Sequence, residues 1–538
     1  MKNRIYPIIL GFCSLLLVWS CNKEAEFFSE PYPEPKNPLG IIIDRSQIAN
    51  PATGGPGTVV TIKVAGLQEF QDKAVFQFNG QKAEIVSITA TEVQVKVPAF
   101  ASTGPTAIIV DDIIVYGPEF MVEGIVKVDP TWTAIMGANN SVHNHLVTTD
   151  GKIIYVGAFN NYNNKGLVKP TNRLVRTFTD GTYDVSWRTG EGSTGTIYKI
   201  LQINDRYYIS GAFGGYDKKR ENISNLTRLN LNGELDTLGV KPWRRPNQSD
   251  TTKYVPFFNG GFNNTIQNIY ESNGKIIVSG FDIRYYVKRD YLKPNARETR
   301  DTTILDSTEI RHLARLNLDG SLDKTYRFTA GGQPFAGANG YVKSMKHESG
   351  SLKEKIVVFG SFTRFDEKST GYIARINADG TIDNTFNSNG NGADFNIDEV
   401  TFNPVTNKYM VTGEFKSFNG TTVNRVCMLN ADGSLDASFQ AKTFLNGFPR
   451  YAKQLNDGKI VISGSFGSYA GIVRNGFMIV DAKGDLIPEL NTTGQFSGSL
   501  SNVVETTSED GKRALLLMGS FWMFDSEPVN NITRIILE

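Results

Sequence analysis

Histidine is the side chain best suited to proton transfer near neutral pH and to holding a transition metal, and this chain has four: His143, His145, His312 and His347. His143 and His145 alternate, so on a strand both rings would face one side and could supply two ligands of a metal. No third ligand can be assigned nearby. The pair therefore reads as polar residues near the start of an inner strand, and no metal or cofactor is expected. Gly-x-Ser-x-Gly, His-Glu-x-x-His and phosphate-loop motifs do not occur. The Asn-x-Asp-Gly runs look faintly like calcium loops, but they lack the remaining ligand spacing and the terminal Glu. Carboxylates paired for glycoside hydrolysis stay open, because two partners can lie far apart in sequence.

Recognition chemistry is better represented. Aromatic and charged residues crowd three long segments, 214–225, 237–264 and 282–311. Trp243, Arg244, Tyr254, Phe257, Tyr285, Tyr286 and Tyr291 are the candidate ligand-binding residues, with Arg245, Phe258, Arg284, Lys288 and Arg289 among them. Aromatic faces stack on the apolar faces of sugar rings while planar polar groups bond the hydroxyls, so this mixture suits a carbohydrate. The alternative for any single ring is that it buries itself to hold a long loop down.

Those segments interrupt a repeat, and the repeat decides how they are held. A strand running into Gly-x-Phe-x-x-aromatic recurs as Gly157 and Phe159 with Tyr162, Gly211 and Phe213 with Tyr216, Gly280 and Phe281 with Tyr285, and Gly360 and Phe362 with Phe365. It continues as Gly413 and Phe415 with Phe418, Gly464 and Phe466 with Tyr469, and Gly519 and Phe521 with Phe524. A second phrase follows, Arg-x-Asn-x-Asp-Gly and then Leu-Asp-x-x-Phe, clearest from Arg228, Arg315 and Arg375. Each unit reads as four short strands, A to D, with tight Asn/Asp-Gly turns between A and B and between C and D. Seven such units predict a seven-bladed β-propeller. The last unit stops after its C strand, whereas Val128-Asp129-Pro130-Thr131-Trp132 precedes the first, so this segment is expected to close the ring as the last blade's outer strand. With A–B and C–D tight, every B–C and D–A connection emerges on one face, and the three long segments fall in one sector of it.

The recurring aromatics, the arginines Arg228, Arg315, Arg375 and Arg534, and the aspartates Asp236, Asp323, Asp383 and Asp436 answer a need common to the blades. They are expected to serve packing and blade-to-blade contacts. These phrases resemble the delta-60 family of propeller repeats over residues 124–538, departing at Gly280-Phe281, which lacks the middle residue, and at Lys483-Gly484, where the turn acid is replaced. Upstream, residues 38–123 read as short strands split by Gly/Pro turns, and Gly57 to Ile62 and Phe78-Asn79-Gly80 resemble the IPT/TIG type of immunoglobulin-like domain. The expected fold class is all-β, a small Ig-like β-sandwich followed by the propeller.

Residues 1–20 carry Lys2 and Arg4 ahead of an apolar run, as a signal peptide does. Leu17-Val18-Trp19-Ser20-Cys21 resembles a lipobox, which implies cleavage before Cys21 and lipidation of it. Asn22 to Glu26 resembles the surface-export signal of Bacteroidota lipoproteins, and the prolines at 31, 33, 35 and 38 make residues 21–37 a stiff tether. Cys13 leaves with the signal, so Cys427 is the sole free thiol and no internal disulfide is expected. Fifty-six Lys and Arg against 55 acids give a net charge of +1, which offers no overall attraction to nucleic acid. The expectation is a non-catalytic lipoprotein facing the cell exterior and touching the outer membrane only through its lipid. It would bind a polysaccharide or oligosaccharide beside an importer complex, as the accessory glycan-binding proteins it resembles do. A protein-docking or adhesion module, and a hydrolase or lyase at the propeller mouth, are the alternatives.

Overall fold

The computed structural model describes residues 39–168, 170–241, 252–291 and 303–537. The signal peptide, Cys21, Trp243, Arg244 and Arg245 lie outside the described residues. Seven sheets stand around an axis, each built on three antiparallel strands. Blade 4 is typical, with strand A at Val342–Lys346, B at Ile356–Gly360 and C at Ile373–Ile376. Its B strand, Ile-Val-Val-Phe-Gly, is buried at every position because a neighbouring blade covers each face, which is why B strands read as continuous apolar runs.

The outer D strand is shorter than four-strand reading suggests. It is one bridge in each of blades 1 to 6, for example Leu229 with Leu235, Leu316 with Leu322 and Ile376 with Ile382. The next residue is the repeated aspartate, whose backbone N–H donates back to the arginine carbonyl of strand C, as Asp383 does to Arg375 at 2.8 Å. Closure follows the expectation: Lys127–Val128 pairs antiparallel with Ile532–Ile536, and Asp129 bonds to Arg534 as its counterparts do in other blades.

The joint between blades is one repeated contact. The arginine Nε donates to the aspartate in Arg176–Asp184 (2.8 Å), Arg228–Asp236 (2.6 Å), Arg315–Asp323 (2.7 Å) and Arg375–Asp383 (2.7 Å). The same guanidinium lies over an aromatic ring, Trp187, Phe257, Tyr326 and Phe386 respectively. Four arginines also donate into the next blade's C–D turn, Arg315 to Ala378 at 3.2 Å, Arg228 to Leu318 at 3.5 Å, Arg534 to Thr179 at 3.1 Å and Arg375 to Ala431 at 2.5 Å. The turn glycine there packs against the preceding blade's ring: a Cβ on Gly380 would come within 3.0 Å of Tyr326, and one on Gly433 within 2.7 Å of Phe386. Its φ near +90° excludes other residues independently. Blades 5 and 6 carry Met428 and Met478 instead of arginine. Lys408 then holds Asp436 alone at 2.6 Å, and in blade 6 the Asn491 amide bonds both backbone groups of Ile479.

A second constraint was not apparent in the sequence. The residue before strand C has positive φ in every blade: Arg173, Asn225, His312, Tyr372, Arg425, Gly476 and Asn531, from 61° to 82°. Its carbonyl accepts from the Gly-x-Phe glycine, as Arg173 does from Gly157 at 2.9 Å, and its N–H donates to the carbonyl of the Phe, as Arg173 does to Phe159 at 2.7 Å. In blade 3 that N–H, from His312, reaches Ile283, so Ile283 and not Phe281 occupies the phenylalanine position. The blade carries one extra residue after Gly280 rather than one fewer.

The upstream domain is a β-sandwich of immunoglobulin type. Val59–Lys63 pairs with Glu92–Lys96, which pairs in turn with the end of Gln81–Ile88, whose beginning joins Val75–Phe78, Gly104–Val110 and Ile113–Val122 in the facing sheet. Val60, Ile62, Phe76, Phe78, Val93, Val95, Ile108 and Phe120 fill the space between. It docks on loops of blades 6 and 7. Thr103 N–H donates to Thr492 at 2.8 Å, and the buried Arg474 guanidinium donates to the Phe100 carbonyl at 3.2 Å.

Two predictions follow from the joint. Asp129→Ala leaves the buried Arg534 with only the half-exposed Glu509 at 3.7 Å and should cost about 3–5 kcal/mol in urea unfolding, with the loss spread over the ring rather than local to the N-terminal segment. The carboxyls of Asp184, Asp323 and Asp383 are pushed up by burial, but hydrogen bonds from the neighbouring Ser or Thr, Lys and Arg outweigh this and hold each well below the ordinary 3.8. A carboxyl lowered by folding stabilises fully above its unfolded value, and that contribution fades as pH falls through the lowered one. Stability should therefore drop steeply below 3.8, and Asp383→Asn should be weaker at neutral pH with a flatter acid limb.

Candidate functional site: the loop-bearing mouth of the channel

The inserted segments meet, as expected, in one sector, but they are strands rather than loops. Ile223–Ser224, Gly260–Phe262, Tyr285–Tyr291 and Thr303–Glu309 form a four-stranded accessory sheet over blades 2 and 3. Gly260 and Gly261 permit it, since a Cβ on either would sit within 2.0 Å of a facing carbonyl, of Val287 or of Ser224. A separate hairpin pairs Thr237–Val240 with Lys253–Pro256.

Packing claims two of the candidate binding residues. Tyr286 is 3% exposed, packs on Phe262 at 4.9 Å and donates its hydroxyl to the Gly320 carbonyl at 2.6 Å. Tyr162, Tyr216 and Tyr469 make the same bond to Gly181, Gly233 and Gly484, so Tyr286, not Tyr285, is the repeat aromatic of blade 3. Phe257 lies under Arg228 at 3.2 Å, while Phe258 packs on the Gly320 turn. The pair shares the work of the single ring used by other blades, displaced along the chain by the hairpin insertion. Tyr254 (62%) and Tyr285 (45%) stay exposed, and Tyr291 ends an accessory strand paired with Thr303.

A different set of side chains converges on the axis. In each blade the residue of strand A that pairs with the position before the repeat glycine turns to the channel: Asn144, Lys199, Asn268, Lys343, Glu399, Tyr451 and Asn502. A β-bulge precedes it in all blades but the fourth, adding His143, Tyr198, Gln267, Asp398, Arg450 and Ser501. Bulges re-aim side chains, and four of these, His143, Tyr198, Gln267 and Ser501, line the same channel as a second polar layer. The enclosed space is about 490 Å³, within the range of small-molecule sites. A larger recess, about 1040 Å³, lies beside the outer edge of blade 4, but its Asp383 and Lys355 are already engaged in the joint.

Aromatic residues rim this mouth. Tyr341 and Phe395 stand just before the A strands of blades 4 and 5, 63% and 48% exposed, and Phe448 occupies the same place in blade 6. Phe281 meets Tyr341 edge-on at 6.3 Å, Tyr372 meets Phe395 at 6.3 Å, and Arg425 and Arg450 lie over Phe448. The A strands begin on the face where D–A and B–C connections emerge. The mouth therefore shares that face with the accessory sheet at blades 2 and 3 and the sandwich domain docked at blades 6 and 7.

Burial holds all four histidines at about 4, so each is neutral at physiological pH. His143 lies against Tyr198 in the channel, ring centroids 4.7 Å apart and tilted by 38°, while His312 and His347 belong to the packed blades. Among the described residues no three His, Cys, Asp or Glu side chains are grouped to hold a metal ion.

The class of protein is thus a seven-bladed β-propeller carrying an N-terminal Ig-like sandwich. A family model described as a β-propeller domain of unknown function (DUF5122) matches residues 148–186, 355–386, 406–439 and 455–478, within blades 1, 4, 5 and 6. A domain of unknown function (DUF5008) matches residues 17–118. No curated protein matches the chain. Among solved structures it is similar to the WD40 β-propeller domain of Doa1, at 11% identity over 77% of this chain and 97% of that one, TM-score 0.37. It is also similar to auxiliary nutrient binding proteins from Bacteroides thetaiotaomicron VPI-5482 (12% identity, 92% and 98% covered, TM-score 0.25) and Bacteroides ovatus ATCC 8483 (12%, 73% and 98%, TM-score 0.20). All three scores are low, and none bears on function.

If Tyr286 is a blade aromatic, Tyr286→Phe should cost only about 1 kcal/mol, the worth of one hydrogen bond, since Phe365, Phe418 and Phe524 fill that place elsewhere. Tyr286→Ala should cost about 3–5 kcal/mol through the cavity it leaves. Urea unfolding of the two variants checks both values.

Proposed function

We propose that this protein is a non-catalytic, lipid-anchored surface lipoprotein that binds a glycan at the mouth of its propeller channel. Its Ig-like sandwich, of IPT/TIG type, would act as the spacer between membrane and ring, and its partner would be an outer-membrane importer. The observation that carries the reading is the pair of exposed rings, Tyr341 and Phe395, with the half-buried Phe448, at the start of inner strands around a polar channel on the loop-bearing face. Flat apolar faces beside convergent amides and charged groups match the alternation of C–H and hydroxyl surfaces on a sugar. The concavity favours a glycan over a protein partner, whose interface would be broad and flat. Tyr254 and Tyr285, exposed on the neighbouring insertions, would extend the surface to a longer chain.

A second reading draws on Asp398 and Glu399, adjacent at the mouth, whose carboxyls burial pushes up and could make general acids. Each already faces a cation, Arg450 at 3.2 Å and Lys343 at 4.0 Å, and the two are consecutive on one strand rather than set across a cleft. That arrangement favours binding without cleavage.

Affinity electrophoresis of the protein through a panel of polysaccharides tests the proposal. One glycan should retard it and be recovered without new reducing ends. Tyr341→Ala and Phe395→Ala should each lose the retardation with unchanged unfolding midpoints. Retardation that survives both changes would move the site off the mouth, and new reducing ends would make the protein a hydrolase or lyase.

A further inference from the structure

We propose that the channel mouth seats a compact anionic group of the ligand, a carboxylate or a phosphate, between Lys199 and Lys453. This rests on the mouth being a binding site, not on the ligand being a glycan. Three lysines, Lys199, Lys343 and Lys453, line the channel with one glutamate on the ring, Glu399. Lys343 is accounted for, donating to the Asp398 carbonyl at 2.7 Å and facing Glu399.

The other two ammonium groups are not matched. Lys453 donates to the Val503 carbonyl at 2.6 Å. Lys199 donates to the Asn144 amide oxygen at 3.2 Å once that amide is oriented to satisfy both its neighbours. Neither forms an ion pair with a carboxylate among the described residues. Burial lowers the pKa of both, with only the more distant Glu348 and Glu505 opposing it. Lys199 reaches Asn144 of blade 1 and Lys453 reaches Val503 of blade 7, so the two ammoniums lean toward adjacent blades on one side of the channel.

An ammonium taken out of water is costly unless paired, and its three N–H groups need acceptors. Two such groups with spare donors, beside Asn144, Asn268 and Asn502 on the ring, form a cavity whose missing component is negative charge and oxygen acceptors. A carboxylate or phosphate supplies both. A neutral sugar supplies hydroxyls but leaves the charge uncompensated.

Calorimetric titration of the full chain with galacturonate, galactose, glucose 6-phosphate and inorganic phosphate tests this. Galacturonate or a phosphate should bind at least about tenfold more tightly than galactose, with affinity falling as salt is raised. Lys199→Met and Lys453→Met should each lose about tenfold for the anion with no loss of thermal midpoint, because removing an unpaired buried charge does not destabilise the fold. Lys199→Arg should retain binding, which guards against a misfolded Met variant. Galacturonate against the phosphates decides which group is taken. Equal affinity for galactose and the anions, no anion binding, or unchanged binding in both Met variants would overturn the proposal. In that case a glycan still retarded through Tyr341 would leave the glycan reading standing, whereas anion binding without any retarding glycan would do the reverse.

Discussion

A glycine turn of one blade pressed against the aromatic ring of the blade before it is the contact on which this structure depends. The glycine is fixed twice, by positive φ and by the ring a Cβ would strike. The ring is covered by an arginine, and the arginine is held by the aspartate three residues before the ring, so backbone, stacking and charge specify one geometry together. Each of blades 1 to 6 presents its turn glycine to a ring of the blade before it, so the contact recurs at six of the seven joints; blade 7, whose D strand comes from upstream, has no such turn of its own. Trp132, Asp129 and Arg534 complete it between last blade and first.

A ring held from its outer edge leaves its inner strands and one face free to vary. Blade 2 shows how much variation the joint absorbs. A hairpin separates Asp236 from its aromatic, yet Phe257 returns to Arg228 and Phe258 to the Gly320 turn. The accessory sheet and the docked sandwich sit on the same face for the same reason, since the other face carries short connections, the longest being the Gly350–Leu352 helical turn of blade 4. Between them opens a channel whose walls are the least repetitive part of the repeat.

The repeat, the blade count, the closure and the sector of insertions were legible because they are written as recurring residue types at fixed spacing. What was not legible depended on register or on a non-repeating choice. Tyr285 and Tyr286 are equivalent on paper, and only the His312 to Ile283 hydrogen bond shows that blade 3 carries an extra residue. The accessory strands were hidden because Tyr285 to Tyr291 and Thr303 to Glu309 are rich in charge and lack an apolar face. The polar ring was hidden because its members, from Asn144 to Asn502, differ in every blade. Its one signal was that a polar residue or tyrosine recurs just inside the first apolar residue of each A strand, which a pattern search for identical residues passes over.

The mouth as a binding site is the claim that organises the rest, and a crystal structure with the retained glycan tests it most directly. The account places a sugar ring against Tyr341 or Phe395 with its polar substituents directed to Lys199 and the asparagine ring. A glycan found instead on the accessory sheet beside Tyr254, or in the recess along the outer edge of blade 4, with the mouth left to water, would contradict it.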